Sequence, residues 1–166
     1  QGNGTVARIV GKFDLSRLGP AGLSMGGVAS GQFCVEDRRC LAGLNLDGIP
    51  QYGAMNDTPM PAPFLMVYSG RPGRAGASDI IYTRAASKYY RVDVAETLHL
   101  DFTDMNLWGG PLRQRGAYGK IDPARAADVT RTIVREFFGQ EILKQPSALL
   151  SGKQPMTGVT VVEVKK

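Results

Sequence analysis

The stretch Gly22-Leu23-Ser24-Met25-Gly26-Gly27 decides how the rest of the chain is interpreted. It has the G-x-S-x-G pattern, in which a strand turns sharply into a helix and the serine lies at the tip of the turn. Glycines two residues before and two residues after the serine are expected on steric grounds, because a Cβ atom at either position would collide with the neighbouring strand or helix. In a chain with 21 glycines, the same pattern also arises as a glycine-rich turn with an ordinary exposed serine. The choice between the two depends on which acid and which histidine follow.

Apolar runs, helix caps and turn residues predict strands that alternate with helices along most of the chain. The predicted strands are Leu18–Leu23, Leu41–Leu46, Phe64–Tyr68 and Tyr90–Ala95, and the predicted helices are Met25–Val35, Ser78–Tyr90 and a stretch from Asp122 to near Leu143. Strands separated by crossovers indicate an α/β fold with a parallel sheet and flanking helices. Pro20 lies in the first strand and has no N–H for a sheet ladder, so we expect a bulge or an unpartnered position there.

The length of 166 residues is that of one domain. We predict a domain over residues 1–145 and a C-terminal tail over residues 146–166, in which Val159–Val164 is extended and β-branched. Residues 101–119, which contain the only tryptophan, Trp108, are predicted to form a mobile segment.

Composition and charge argue against a nucleic-acid partner and against a transmembrane segment. The net charge of +5 comes from lysines and arginines scattered along the chain. They form no basic stripe interleaved with aromatics, as a nucleic-acid binder would need. No run approaches the roughly 18 apolar residues that a membrane-spanning helix requires. We therefore predict neither a nucleic-acid partner nor a transmembrane segment.

The two cysteines, Cys34 and Cys40, lie six residues apart and allow two interpretations. One is a pair of buried thiols. The other is a disulfide between the end of the helix that follows Ser24 and the start of the next strand, which implies an oxidising compartment, secreted or periplasmic. No metal site is expected, because the chain has one histidine and no C-x-x-C motif.

Three side chains with catalytic chemistry are predicted to follow strands of the sheet. Ser24 follows the first strand, Asp47 the second and His99 the fourth. Reactive groups of open α/β sheets collect at the carboxyl ends of the strands, so we expect these three to meet. Their order, Ser then Asp then His, is that of α/β hydrolases. His99 is the only histidine, and its place in a strand-end loop favours a catalytic base over a buried core histidine.

The choice of the acid has alternatives. Most α/β hydrolases carry it after the strand that corresponds to Phe64–Tyr68, but the first carboxylate there is Asp79, at a predicted helix start. Asp47 is preferred because it ends the preceding strand and is followed by a glycine. Asp101 and Asp104 are close to His99 in sequence, and we expect them to cap the turn that follows it.

These residues predict nucleophilic catalysis at an ester carbonyl. Ser24 Oγ attacks while His99 takes its proton, and Asp47 holds the imidazole tautomer and stabilises the cation. An acyl-serine forms and is then hydrolysed by water. The backbone N–H of Met25 is expected to supply one oxyanion donor.

The combination of Gly22-Leu-Ser-Met-Gly-Gly27, Asn45-Leu-Asp-Gly48 and His99-Leu-Asp-Phe-Thr-Asp104 resembles the platelet-activating factor acetylhydrolase branch of the α/β hydrolases, including its bacterial relatives. The helix that opens near Gly119 also looks similar. The resemblance covers roughly Phe13 to Leu143 and implies an esterase or lipase-like hydrolase with Ser24, Asp47 and His99 as its triad. It implies a small ester or lipid as substrate and no cofactor. Leu23 departs from the pattern, since relatives have histidine there, and the substrate-binding residues are not predicted.

A complete member of that branch has several strands before the serine, and one of their loops supplies the second oxyanion N–H. We therefore expect the chain to be the C-terminal half of an α/β-hydrolase fold without its N-terminal strands. The missing half would be supplied in cis or as a second chain. Two other functions stay open: a dienelactone- or cutinase-type hydrolase, and a catalytically incomplete binding or interaction module.

Overall fold

Five strands form a single sheet in the computed structural model, which describes residues 11–50, 57–82, 84 and 86–165. The strands lie in chain order, β1 to β5, and are β1 (Ala21–Leu23), β2 (Gly43–Leu46), β3 (Phe64–Ser69), β4 (Tyr89–Val94) and β5 (Val159–Lys165). The first four are parallel, as predicted, whereas β5 runs antiparallel to β4. The predicted α/β fold is confirmed, with one antiparallel strand added at its edge.

Helices cover both faces of the sheet. They are α1 (Met25–Glu36), α2 (Asp79–Tyr82), α3 (Met105–Trp108), α4 (Gly110–Gln114) and α5 (Pro123–Glu141), with a 3₁₀ helix at His99–Phe102. The start of α5 is as predicted: Asp122 is its N-cap and accepts a 2.9 Å hydrogen bond from the backbone N–H of Arg125. Proline at the first helical position costs no hydrogen bond, because that N–H has no partner within a helix.

The core consists of two apolar layers, one on each side of the sheet. On one side, α5 places Ala126, Val129, Ile133 and Phe137 against inward-facing residues of β2, β3 and β4. On the other side, Cys34 of α1 and Tyr82 of α2 pack with the alternate residues of β3. All six residues of β3 are consequently buried, as predicted for an unbroken apolar strand between two layers.

The segment between β3 and β4 differs from its prediction. The sequence predicts a helix over Ser78–Tyr90, but α2 ends at Tyr82 and β4 begins at Tyr89. Tyr82 stacks between Phe64 and Tyr89, with ring centroids 4.9 Å apart in both pairs. Burying these three rings together requires Tyr89 to lie in the sheet, so tertiary packing overrides the local helical spacing.

Two further stretches are more ordered than their composition predicts. Residues 101–119 contain the end of the 3₁₀ helix together with α3 and α4. The predicted boundary at residue 145 is not seen, because Leu149 and Leu150 are buried in the α5-side core and β5 pairs with β4. The β-branched run at the C-terminal end extends the sheet instead of forming a tail.

The pairing of the first two strands is irregular near Pro20. Leu18 pairs with Cys40, but Ala21 pairs with Leu44, so the register advances by one residue across the proline. The Pro20 carbonyl still accepts a 3.0 Å hydrogen bond from the Leu44 N–H. The extra residue therefore lies in the segment between Cys40 and Leu44, opposite Pro20, and not at the proline itself as expected. Within the described residues, β1 pairs on one side only and forms an edge of the sheet.

Cys34 and Cys40 are joined by a disulfide. It links the last turn of α1 to the segment that leads into β2, and both residues are buried in the layer that α1 covers. Among the described residues, no three histidine, cysteine or acidic side chains come together in a way that would hold a metal ion. None of the helices in the described ranges is long and apolar enough to cross a membrane.

Candidate active site

Ser24 lies at the turn between β1 and α1 in a conformation that few non-glycine residues adopt. Its backbone has φ 57° and ψ −122°. Two hydrogen bonds hold this turn: the Ser24 N–H donates to the Leu46 carbonyl at 2.9 Å, and the Ser24 carbonyl accepts from the Val28 N–H at 3.1 Å. The serine is thereby fixed at the carboxyl end of β1, directly before the first turn of α1.

Glycines let α1 approach the sheet at this turn. A Cβ atom at Gly22 would lie 2.2 Å from the Gly26 carbonyl carbon, so this position is restricted as predicted. The prediction for Gly26 is wrong, because a Cβ there would have no atom within 4 Å. The restricted helix position is Gly27, whose Cβ would lie 2.1 Å from Asn45 Oδ1. The residue three places after the serine faces the strands, whereas the residue two places after it faces outward.

Asp47 follows β2 and is almost completely buried, with 1% of its surface exposed. Its φ of 53° is in the left-handed region, which aspartate tolerates better than most residues. Asp47 Oδ2 lies 2.8 Å from His99 Nδ1, and Oδ1 accepts a 2.9 Å hydrogen bond from the Ser69 N–H. The carboxylate thus joins the ends of β2 and β3 to the histidine.

Asn45 holds the backbone around Asp47, a role that we did not predict from the sequence. Its fully buried side chain accepts from the Gly48 N–H at 2.8 Å and donates to the Gly48 carbonyl at 2.9 Å. A Cβ at Gly48 would lie 2.1 Å from the Ser24 carbonyl oxygen. The turn after β2 therefore packs directly against the backbone of the serine.

Arg74 is a second residue that sequence reasoning missed, because it lies in a stretch interpreted only as a loop. Its Nε donates to Asp47 Oδ1 at 2.9 Å, and its Nη2 donates to the Asp47 main-chain carbonyl. Burial is the strongest influence on the pKa of Asp47 and raises it. Hydrogen bonds from Arg74, the Ser69 N–H and His99 outweigh that effect, so the pKa of Asp47 lies below its ordinary value. This carboxylate stays ionised at neutral pH.

His99 begins the 3₁₀ helix that follows β4, and its side chain is 38% exposed. The buried carboxylate of Asp101 accepts hydrogen bonds from the Leu98 N–H at 2.7 Å and from the Gly119 N–H at 2.6 Å. Asp101 thus caps the turn that carries the histidine and ties it to the segment before α5, in keeping with its predicted capping role.

The other carboxylates considered as the acid are placed differently. Asp79 accepts from Tyr89 Oη at 2.7 Å, from Tyr68 Oη at 3.1 Å and from Arg91 Nη1 at 2.8 Å. It belongs to a polar cluster on the α1-covered face of the sheet. Asp104 precedes α3, and its side chain makes no capping hydrogen bond there, so the capping role predicted for it is wrong.

A cavity of about 750 Å³ lies at this end of the sheet. Ser24, Asp47, Arg74 and His99 line it, and its apolar wall includes Met25 and Val28. The structure therefore brings Ser24, Asp47 and His99 to one cavity, with the N-terminus of α1 at its edge. The N–H of Met25 belongs to the first turn of α1, whose N–H groups have no acceptor within the helix.

The comparisons with known proteins relate this chain to an esterase structure. It is similar to the solved structure of a ferulic acid esterase from Streptomyces cinnamoneus, with a TM-score of 0.73 and 28% sequence identity. The similarity covers 90% of this chain but 48% of that one, so the chain spans about half the length of its structural neighbour. No family model matches the chain, and a search of curated proteins finds no match. The chain has a partial α/β-hydrolase-like esterase fold.

Proposed function

We propose that this chain carries the catalytic residues of a carboxylic-ester hydrolase that works through an acyl-serine intermediate. The observation that supports this most strongly is the 2.8 Å contact between Asp47 Oδ2 and His99 Nδ1 in the cavity that Ser24 also lines. The similarity to a ferulic acid esterase structure supports the same reaction class.

In the proposed mechanism, Ser24 is the nucleophile and His99 the general base. The contact with Asp47 places the ring hydrogen of His99 on Nδ1, which leaves the lone pair of Nε2 free to accept the Ser24 proton. Ser24 Oγ then bonds to the ester carbonyl carbon. The negative charge on the carbonyl oxygen is stabilised by the N–H of Met25 at the N-terminus of α1.

The tetrahedral intermediate collapses when the proton on His99 Nε2 passes to the leaving alkoxide, which departs as an alcohol. Water next attacks the acyl-serine, His99 takes a proton from it, and that proton returns to Ser24 Oγ as the acid is released. Asp47 remains ionised throughout and stabilises the imidazolium in both halves of the reaction.

The substrate is proposed to be a small ester or a lipid with an apolar acyl or aromatic group. The α1 side of the cavity is apolar, with Met25, Val28 and Ala29 along it. We retain the platelet-activating factor acetylhydrolase-like branch within this proposal, because the acid follows β2 and not the later strand β3. A lipase, a cutinase-type or dienelactone hydrolase, and an incomplete binding module are the outcomes against which the proposal is tested.

Labelling with a fluorophosphonate probe tests the nucleophile. We expect labelling at Ser24, located by peptide mass mapping, and none in Ser24→Ala. Protein that is folded but not labelled under native conditions would favour the binding module.

Steady-state turnover of p-nitrophenyl esters tests the remaining assignments. In a complete enzyme, Ser24→Ala and His99→Ala should each lower kcat by about 10⁴-fold or more, because the members of a triad act as a unit. Asp47→Asn should also be severe, while Asp79→Asn serves as the matched control. If Asp79→Asn were the damaging change and Asp47→Asn harmless, the assignment of the acid would be wrong. A series of acyl chain lengths distinguishes short-chain esterase from lipase activity.

A further inference from the structure

Arg74 makes a two-point contact with Asp47 that the proposed mechanism does not use. One nitrogen, Nε, donates to the side-chain oxygen Oδ1 at 2.9 Å, and the second, Nη2, donates to the main-chain carbonyl of the same residue. The arginine side chain is only 17% exposed and that of Asp47 only 2%. A contact to both side chain and backbone restricts rotation of the carboxylate as well as movement of its chain segment.

The two carboxylate oxygens of Asp47 have different hydrogen-bond partners. Oδ1 is occupied by Arg74 and by the Ser69 N–H, each at 2.9 Å. Oδ2 is thereby presented to His99 Nδ1 at 2.8 Å. Without the arginine, Oδ1 would keep the Ser69 N–H as its single donor, and the carboxylate and the main-chain carbonyl of Asp47 would each lose one hydrogen bond.

The positive charge of Arg74 also affects the protonation of Asp47 and His99. It lowers the pKa of Asp47 against the opposing effect of burial. The interaction therefore stabilises the fold fully at pH values above the ordinary Asp pKa of about 3.9. This stabilisation is lost as the pH falls through the lowered pKa of Asp47. The same cation opposes the positive charge that His99 acquires. Removing it should therefore favour the protonated imidazole.

The other charged groups around His99 differ from Arg74 in what they contact. Arg71, in the same loop, lines the cavity but is exposed. Asp101, in the turn of His99 itself, uses its Oδ2 for the Leu98 and Gly119 N–H groups. Of the charged side chains in the described structure, Asp47 alone contacts the imidazole within salt-bridge distance, and Arg74 alone contacts Asp47 besides it.

We propose that Arg74 is a positioning residue for the Asp47–His99 pair: it holds Oδ2 toward Nδ1, and its positive charge opposes the positive charge that His99 gains when it accepts the serine proton. The catalytic consequence rests on the proposed function. The effect on the pair itself does not, and it is measurable without turnover.

His99 is the only histidine, so its ring resonances in an NMR titration need no assignment. The titration compares wild type with Arg74→Gln, which removes the charge, and with Arg74→Lys, which keeps the charge but offers a single nitrogen. Arg38→Gln is the matched control. It removes one arginine charge just beyond the C-terminal end of α1, about 18 Å along the helix from Ser24.

In Arg74→Gln, we expect the midpoint of the His99 titration to move to higher pH by about 0.5 to 1 unit, below the shift caused by a directly adjacent charge. The acidic limb of the pH profile of kcat/KM should move with it. In Arg74→Lys, the midpoint should stay near that of wild type, while kcat falls by about 10- to 100-fold because the carboxylate is held at one point only. Arg38→Gln should match wild type in both measurements.

An unchanged midpoint in folded Arg74→Gln would overturn the inference, and so would wild-type kcat in Arg74→Lys. If Arg74→Gln does not fold, the kcat of Arg74→Lys tests the inference. A shifted midpoint in folded protein that the fluorophosphonate probe does not label at Ser24 would keep the role of Arg74 and reject the proposed function. An active wild type whose His99 midpoint is the same in Arg74→Gln would support the proposed function and reject the role of Arg74.

Discussion

Ser24 is held in a conformation that costs free energy in the folded state. A residue with φ 57° and ψ −122° is typically destabilised by about 1–3 kcal/mol. The surrounding structure maintains it, because the Ser24 N–H is bonded to Leu46 and the absence of a Cβ at Gly48 leaves room for the Ser24 carbonyl. This conformation places the Ser24 side chain at the N-terminus of α1.

This strain predicts an unusual order of stability at residue 24. Ser24→Gly should be more stable than Ser24→Ala by about 1 kcal/mol, because glycine adopts positive φ without the clash of a Cβ atom. Both variants lack the hydroxyl, so neither should hydrolyse esters. Urea unfolding measures the difference. Equal free energies of unfolding for the two variants would mean that the backbone at this turn is not strained.

The packing of α1 against β1 and β2 depends on glycine at one helix position and not at its neighbour. A Cβ at Gly27 would meet Asn45 Oδ1 at 2.1 Å and the Gly22 carbonyl oxygen at 2.7 Å, whereas the space around Gly26 is open. The two adjacent residues therefore form a matched pair for testing how closely the helix approaches the strands.

We expect Gly27→Ala to destabilise the protein by about 2 kcal/mol and to lower activity, because it displaces the asparagine that holds the turn of Asp47. Gly26→Ala should be neutral or stabilising by up to about 1 kcal/mol, since alanine is the better helix former. Thermal unfolding and ester turnover, measured for both variants and for wild type, test this prediction. The opposite order of stabilities would contradict the observed orientation of α1.

The disulfide between Cys34 and Cys40 clamps the end of the same helix to the segment that leads into β2. Because it closes a short loop, it is expected to contribute about 2 kcal/mol through the entropy of the unfolded chain. Protein made in an oxidising compartment should show no reactive thiol when it is denatured without reductant, and reduction should lower its free energy of unfolding by that amount. Two titratable thiols would show that the cysteines are unpaired in the protein as made.

At the scale of the whole molecule, the strand that leads into Ser24 is an edge of the described sheet. Pro20 accepts from Leu44, and Ser24 donates to Leu46, so alternate backbone groups of β1 face β2. The N–H of Ala21 consequently faces the other side. An edge of this kind is a template for pairing, and we propose that it pairs with a further polypeptide segment, in cis or as a second chain.

We therefore expect the 166-residue chain alone to self-associate as its concentration rises, measured as molar mass by light scattering. Ala21→Pro should weaken this association, because it removes an edge donor without removing a hydrogen bond to β2. Its thermal unfolding serves as the control for an intact fold. A chain that stays monomeric at every concentration and has full esterase activity would refute this expectation.

Local sequence signals determined the elements that position Ser24. The serine between glycines predicted the turn before α1, the Asp122-Pro123 pair predicted the start of α5, and the apolar run Phe64–Tyr68 predicted a strand buried on both faces. Each of these signals acts through neighbouring residues, by steric restriction, by capping or by continuous burial. Together with the single histidine and the order of the strands, they are sufficient to select Ser24, Asp47 and His99 as the candidate triad.

Tertiary structure alone decided the contacts between residues that are distant in the chain. The hydrogen bonds from Arg74 to Asp47 cross 27 residues, and no local pattern distinguishes that arginine from Arg71 in the same loop. Stacking with Phe64 ended the predicted helix at Tyr82, and pairing with β4 brought the last strand into the sheet. These outcomes depend on which surfaces remain to be covered after the core has assembled, and that is a property of the folded chain and not of any single segment.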